Sequence, residues 1–243
     1  MNGATRPAFY ALRAGGWRDY ASLLHAPYTL WHLSYVAVGA ALAPRMHWPL
    51  LGWTILAFAL AMGVGAHALD ELHDRPLGTR IPDRLLAALA TLSIAGAAAI
   101  GVAVAIERTL WLLPFVAVGA FLVVAYNLEL FGGAFHGDLW FAAAWGAFPV
   151  LTAYFASALT LRAAAVAAAA FAFFTSWAQR RLSTQVRLVR RRVVSVEGRA
   201  ELRAGETLPL DEDLLAGAAE AALKALAAAL VLLAAALLLA RAG

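Results

Sequence analysis

Long apolar stretches recur almost to the end of this chain, joined by short polar segments, and that alternation leaves few folds open. They run over about Tyr28–Leu42, Pro49–Leu69, Leu85–Ile106, Leu110–Tyr126, Leu139–Leu159, Ala163–Trp177 and Leu214–Ala240. A stretch of this kind in hydrocarbon must satisfy its own backbone polar groups, which within a single segment only a helix does. The composition agrees: of 243 residues 63% are hydrophobic and 14% charged, and the mean hydropathy is +0.74, far from the balance of a soluble domain. The chain therefore reads as an all-α integral membrane protein with about seven transmembrane helices.

Residues 1–26 lack an unbroken apolar core and so do not read as a cleavable signal. Arg13, Arg18 and Asp19 alternate there with Phe9, Tyr10, Leu12, Trp17 and Leu23, the pattern of an amphipathic helix lying at the interface. The transmembrane domain then covers 27–243, with a polar loop at 178–213. In that loop Leu182, Val186, Val189 and Val193 recur at helical spacing, which predicts a separate in-plane helix, and Val193–Val196 with Ala200–Leu202 around Gly198 predict a small hairpin. Asp83 is expected to cap the third span and Asp211, Glu212 and Asp213 the last. Fourteen arginines fall in the N-terminal segment and the loops after spans two and six, against four on the other face. Positively charged loops stay inside, so the N-terminus and the polar loops are expected to be cytoplasmic, as in a protein of the inner membrane. The net charge of +4 is accounted for by these flanking arginines, so nucleic acid is not expected as a partner. Without cysteine, disulfides and thiolate metal sites are excluded.

The chemistry-bearing residues cluster at the ends of spans. After span two, His67, Asp70, Glu71 and Asp74 fall at i, i+3, i+4 and i+7, one stripe of a helix, with His73 pointing elsewhere. Pro76, Gly78 and Pro82 stop the helix, and Arg75 and Arg80 follow the acids. Carboxylates at the end of a span are costly to dehydrate, so the stripe is a candidate for a hard divalent cation, Mg²⁺ or Mn²⁺, that bridges to a phosphate. After span four, YNLELFGGAFHGDLW supplies Tyr126, Asn127, Glu129 and His136 on a glycine-rich turn, with Asp138 expected to cap span five. Arg180 and Arg181 directly follow span six, where a guanidinium can clamp a diphosphate, and the remaining arginines read as anchors to anionic lipid. His25, His32 and His47 stand singly and read as core or interface residues. P-loop, HExxH and nucleophile-elbow motifs are absent from the sequence.

On these residues the chain resembles the UbiA superfamily of intramembrane prenyltransferases. The family's motif NDxxDxxxD after its second span is matched by Ala66-His67-x-x-Asp70-x-x-x-Asp74, followed by Arg75-Pro76-Leu77 in place of its RP element. Ala26-Pro27-Tyr28-Thr29 is similar to an RPxT-like entry to span one, and Tyr126-Asn127-Leu128-Glu129 stands where the family has YxxxKR. Ala66 and His67 replace the motif's Asn and first Asp. Ser176-Trp177-Ala178-Gln179-Arg180-Arg181 carries no carboxylate where a second Asp-rich motif belongs, and one span follows where three are usual. The resemblance implies a UbiA-like bundle and Mg²⁺-assisted ionisation of an isoprenyl diphosphate, ending in transfer to a lipophilic acceptor or in cyclisation. It implies Asp70 and Asp74 as metal ligands and His67 as a ligand or base. Arg75, Arg80, Arg180 and Arg181 would contact phosphate, Glu129 or Asn127 would orient the acceptor, and Tyr126 would line the substrate site.

Two other readings compete. His67, Asp70, Glu71, Glu129 and His136 suit an Fe- or Zn-dependent intramembrane hydrolase or oxidoreductase. A non-catalytic isoprenoid or quinone carrier would keep the scaffold without turnover.

Overall fold

The computed structural model describes residues 8–243, so Arg6 and the start of the expected interfacial helix lie outside the described residues. The chain is all-α, 77% helical. After a short α1 (Trp17–Leu23) come α2 (Ala26–Leu42), α3 (Trp48–Asp74), α4 (Asp83–Arg108), α5 (Leu110–Asn127), α6 (Asp138–Ala158), α7 (Ala163–Arg192) and α8 (Glu212–Ala242). Five of them, α3, α4, α5, α6 and α8, are long and apolar enough to cross a membrane. Their outer faces carry Leu92, Ile106, Leu232 and Leu239, each at least 68% exposed. Surfaces of that kind belong against lipid rather than water. The 17-residue α2 and the apolar first half of α7 pack into the same bundle.

α6 is the central helix. On one side it packs against α2 and α7, with Trp31, Tyr35, Val150 and Ala172 buried between them, and on the other its own Trp145 closes a core with Met62, Leu86 and Val123 of α3, α4 and α5. Close approach depends on Gly146, where a Cβ would lie 2.3 Å from the Ala172 carbonyl oxygen on α7. A buried polar network fixes the same pair of layers. Trp31 Nε1 donates to Tyr35 Oη at 2.6 Å, Tyr35 Oη meets Thr175 Oγ1 at 2.7 Å, and Ser176 Oγ donates to Tyr35 Oη at 3.2 Å. At one end of the bundle Arg241 donates to the Ala41 and Ala43 carbonyls, and Arg108 to those of Ala156 and Ser157. Each satisfies carbonyls that a helix end leaves without partners. The candidate site occupies the other, polar end.

Several expectations are corrected. α7 runs unbroken for 30 residues to Arg192, because neither glycine nor proline interrupts 163–192. There is thus no separate in-plane helix, and α7 projects beyond its apolar half. Arg190 clasps this extension to α8 through Glu212 at 3.0 Å and Glu220 at 3.2 Å. The hairpin pairs Arg199–Glu201 with Thr207–Pro209 and turns at Gly205 instead of Gly198. Among the described residues of the N-terminal region only Trp17–Leu23 is a regular α-helix, and it is tied inward: Asp19, 3% exposed, accepts from Gly15 N at 2.8 Å and Arg80 N at 3.0 Å. Asp83 caps nothing and pairs instead with Arg75. Asp211 does cap α8, accepting from Leu214 N at 2.7 Å.

Candidate functional site

α2 begins, α3 and α5 end, α6 begins and α7 passes at the polar end, so their termini enclose a cavity of about 470 Å³. Its wall combines His25, Tyr28 and His32 of α2 and its cap with His67, Asp70, His73 and Asp74 of α3. Tyr126, Asn127, Glu129 and His136 come from the end of α5 and the following turn, and Phe141 and Trp145 from α6. Gln179, Arg180, Thr184, Arg187 and Arg191 come from α7, while Phe9 and Tyr10 fold over from the N-terminal segment. Burial, followed by the neighbouring Tyr28, pushes the Tyr10 hydroxyl pKa up, so it stays protonated.

Of the residues expected from sequence, His67, Asp70, Asp74, Tyr126, Asn127, Glu129 and Arg180 meet in this cavity; Glu71, Arg75, Arg80 and Arg181 do not line it. Glu71 is 1% exposed, and its two oxygens accept from Leu77 N at 3.0 Å and Thr79 N at 2.7 Å. It organises the turn after α3 and has no oxygen turned to the cavity. Arg75, in a left-handed conformation at φ 51°, donates to the Thr79 and Ile81 carbonyls of the same turn. Arg181 reaches Asp138 at 3.3 Å on the surface, and Asp138, expected as a helix cap, serves Arg180 and Arg181 instead.

The expected metal set of His67, Asp70, Glu71 and Asp74 is therefore not assembled. His73, which an ideal helix points away, joins Asp74 and Glu129, with one ligand atom of each within 4.8 Å of the others; no other set of three is brought this close among the described residues. Glu129 reaches this position with φ at 49°, in a turn where Phe131, Gly132 and Gly133 also have positive φ. Strain of this sort in a non-glycine residue gathers at functional sites. Among the described residues the carboxylates of Asp70 and Asp74 make no hydrogen bond or ion pair, and both residues line the cavity.

Two π-helical stretches, Ala59–Ala66 and Ala142–Ala147, border the cavity. Such turns release carbonyls from the regular ladder. The Gly63 carbonyl takes a hydrogen bond from His67 Nδ1 at 3.1 Å and that of Trp145 one from His32 Nδ1 at 2.9 Å; His136 Nδ1 donates likewise to the Tyr126 carbonyl at 2.9 Å. A carbonyl only accepts, so each Nδ1 holds the proton and each Nε2 is left as an acceptor. The His25 ring stacks on that of His67 at 3.9 Å. Burial first, then His67, Arg191 and Arg187, holds the His25 pKa well below the usual histidine range, so the ring is neutral.

Among the described residues, three buried polar atoms on the cavity wall have no hydrogen-bond partner: Tyr126 Oη, Gln179 Oε1 and Arg180 Nε. Below them the wall turns aromatic, with Trp145 4.5 Å from Tyr126 and 5.6 Å from Phe141 between ring centroids. Trp145 also walls a second, apolar groove of about 120 Å³ that runs between α3, α4, α5 and α6 past Met62, Ile94, Val116, Val123 and Phe148. A charged chamber and an apolar groove thus share one wall.

His25, His32, His73, Gln179, Arg187 and Arg191 were not expected in the site. For Arg187 and Arg191 a signal existed: with Arg180 they fall at i, i+7 and i+11 of one uninterrupted helix. His73 carried none, because the cavity wraps around the end of α3. Neither a family model, a curated protein nor a solved structure matches this chain.

Proposed function

We propose that the chain is a membrane-embedded transferase acting on an isoprenyl diphosphate, with seven helices crossing the cytoplasmic membrane and the polar cavity opening to the cytoplasm. The observation that carries the reading is the wall at Trp145, where a chamber lined by four arginines and three carboxylates meets an apolar groove. An amphiphile with a charged head and a hydrocarbon tail suits both sides of that wall, and orphaned polar atoms in the chamber call for a polar ligand.

The donor set fits a divalent cation, at residues partly different from those expected. Two carboxylates and an imidazole, Asp74, Glu129 and His73, would hold Mg²⁺ or Mn²⁺, with Asp70 on the adjoining turn of α3. Such an ion supplies positive charge to a departing diphosphate. In this reading the allylic C–O bond breaks and its electron pair leaves with the diphosphate oxygen. Tyr126, Phe141 and Trp145 turn ring faces and edges, not water, toward the cation left behind. Attack by a lipophilic acceptor forms the new bond, and the proton it releases goes to an acceptor nitrogen, for which His67 Nε2 is poised. Without an acceptor, the π pair of one of the prenyl chain's own double bonds attacks the cation and closes a ring, and the ring cation then loses a proton to the same nitrogen.

The test is release of diphosphate from farnesyl or geranylgeranyl diphosphate by purified protein with Mg²⁺. Asp70→Ala and Asp74→Ala are expected to abolish it, and full turnover in both variants refutes the reading. A carrier would bind the same compounds and give no product by mass spectrometry. One observation favours an Fe- or Zn-dependent hydrolase or oxidoreductase instead: five of the six histidines line the chamber. Stoichiometric tightly held Fe or Zn in the purified protein would decide for it.

A further inference from the structure

The extension of α7 carries a feature that neither the metal ligands nor the apolar groove explains. Arg180, Arg187 and Arg191 project from one face of it into the chamber. Arg187 is half-buried, and among the described residues no carboxylate comes within ion-pair distance; its one hydrogen bond is to Thr184 Oγ1 at 3.2 Å. Facing it are Tyr10, Tyr28, His25 and Tyr126, all uncharged or weakly acidic, and Asp70. Burial, then the like charges of Arg180 and Arg191, pushes the Arg187 pKa down. Arg180 is held at 3.2 Å from His136 Nε2, with Asp138 at 3.5 Å, and among the described residues its Nε has no hydrogen bond. Arg190, one residue from this stripe, is by contrast fully engaged with Glu212 and Glu220. Arg190 is thus answered by acids of the protein, whereas Arg187 has none within ion-pair distance among the described residues. Guanidinium groups withdrawn from water are costly unless an anion answers them.

We infer that Arg187, with Arg180 and Arg191 beside it on the chamber wall, centres a metal-independent binding site for a phosphate-type anion, in which its guanidinium fork takes the place of a second metal ion. The inference deepens the proposed function by stating how the headgroup is held, yet does not depend on turnover. The same chemistry would hold a diphosphate ester or the phosphate of a membrane lipid, and the two are separable.

The experiment is calorimetric titration of inorganic pyrophosphate into the full-length protein in dodecyl maltoside with EDTA present. Binding is expected, weakened about tenfold or more by Arg187→Gln and less by Arg187→Lys, which keeps the charge and loses the fork. Arg203→Gln, in the exposed turn of the hairpin, should bind as the wild type does. Thermal unfolding of each variant separates lost binding from lost fold, and Arg187→Lys carries the test should Arg187→Gln not fold. Binding that appears only with Mg²⁺, or that is indifferent to both Arg187 substitutions, overturns the inference. Competition by farnesyl diphosphate assigns the site to a prenyl headgroup. Displacement of pyrophosphate only by phosphatidylglycerol in nanodiscs keeps the anion site and removes the prenyl-donor reading.

Discussion

Glu71 separates a structural carboxylate from a metal ligand, and substituting it gives opposite results under the two readings. It is 1% exposed, and its oxygens accept two backbone N–H groups of the turn after α3, from Leu77 and Thr79. A hydrogen bond to a charged group contributes about 1.5–3 kcal/mol, and each buried donor left without a partner costs about 1–3 kcal/mol. Glu71→Ala orphans both N–H groups and leaves a void, so a loss of about 3–6 kcal/mol follows, a large part of a typical stability of about 5–15 kcal/mol. Glu71→Gln keeps one acceptor and turns an NH₂ toward the other N–H, which sets its cost at about 2–3 kcal/mol. Unfolding in mixed micelles of dodecyl maltoside with increasing sodium dodecyl sulfate measures both. Manganese binding, followed by electron paramagnetic resonance on the folded Glu71→Gln protein, should match the wild type. If Glu71→Gln unfolds with the wild type and loses manganese, Glu71 is a ligand and the account of the turn is wrong.

Three further substitutions test the frame around the chamber. Gly146→Ala places its Cβ 2.3 Å from the Ala172 carbonyl oxygen, so α6 and α7 must separate, at about 1–3 kcal/mol by the same unfolding assay. Tyr35→Phe leaves the indole N–H of Trp31 and the hydroxyls of Thr175 and Ser176 without their shared partner, for a loss of about 1–3 kcal/mol. His25→Asn tests a proton linkage. The folded ring has its pKa depressed below the ordinary 6.5, so below that pH the unfolded chain takes up a proton that the folded one refuses. Stability should therefore fall as pH drops from 6.5 toward 5, with His25 contributing a slope of up to about 1.4 kcal/mol per pH unit. Asparagine tolerates the left-handed backbone at this position and should flatten that slope. An unchanged slope would show that His25 is not the group involved.

The helices could be read because apolar length alone dictates them, and α3 to α6 begin and end within a few residues of where hydropathy puts them. What could not be read depended on geometry that hydropathy does not carry. The π-helical stretches at Ala59–Ala66 and Ala142–Ala147 have no residue signature, yet they free the carbonyls that orient His67 and His32. Glu71 shares a helical stripe with Asp70 and Asp74, and only the returning turn at Leu77–Thr79 shows that its oxygens are already used. His73 was excluded by a periodicity that holds for a straight helix beside a flat wall, whereas the chamber bends around the last turn of α3.

The continuity of α7 accounts for more of the site than any single residue. Had the helix broken after Trp177 and resumed along the interface, Arg187 and Arg191 would lie in the headgroup layer, indistinguishable from lipid anchors. Because it continues, their angular position is locked to that of Ala169, Ala172 and Ser176, which are packed against α2 and α6 inside the bundle. The Arg190 clasp to Glu212 and Glu220 then prevents the extension from swinging away. Core packing at Gly146 and the aim of the arginines are thus one rigid geometry: a shift of α6 against α7 moves the guanidinium groups relative to Asp70 and Asp74. Gly146→Ala should for that reason weaken pyrophosphate binding even where the protein still folds, although it lies outside the chamber wall. Pyrophosphate affinity equal to the wild type in folded Gly146→Ala would show that the extension finds its position independently of the bundle.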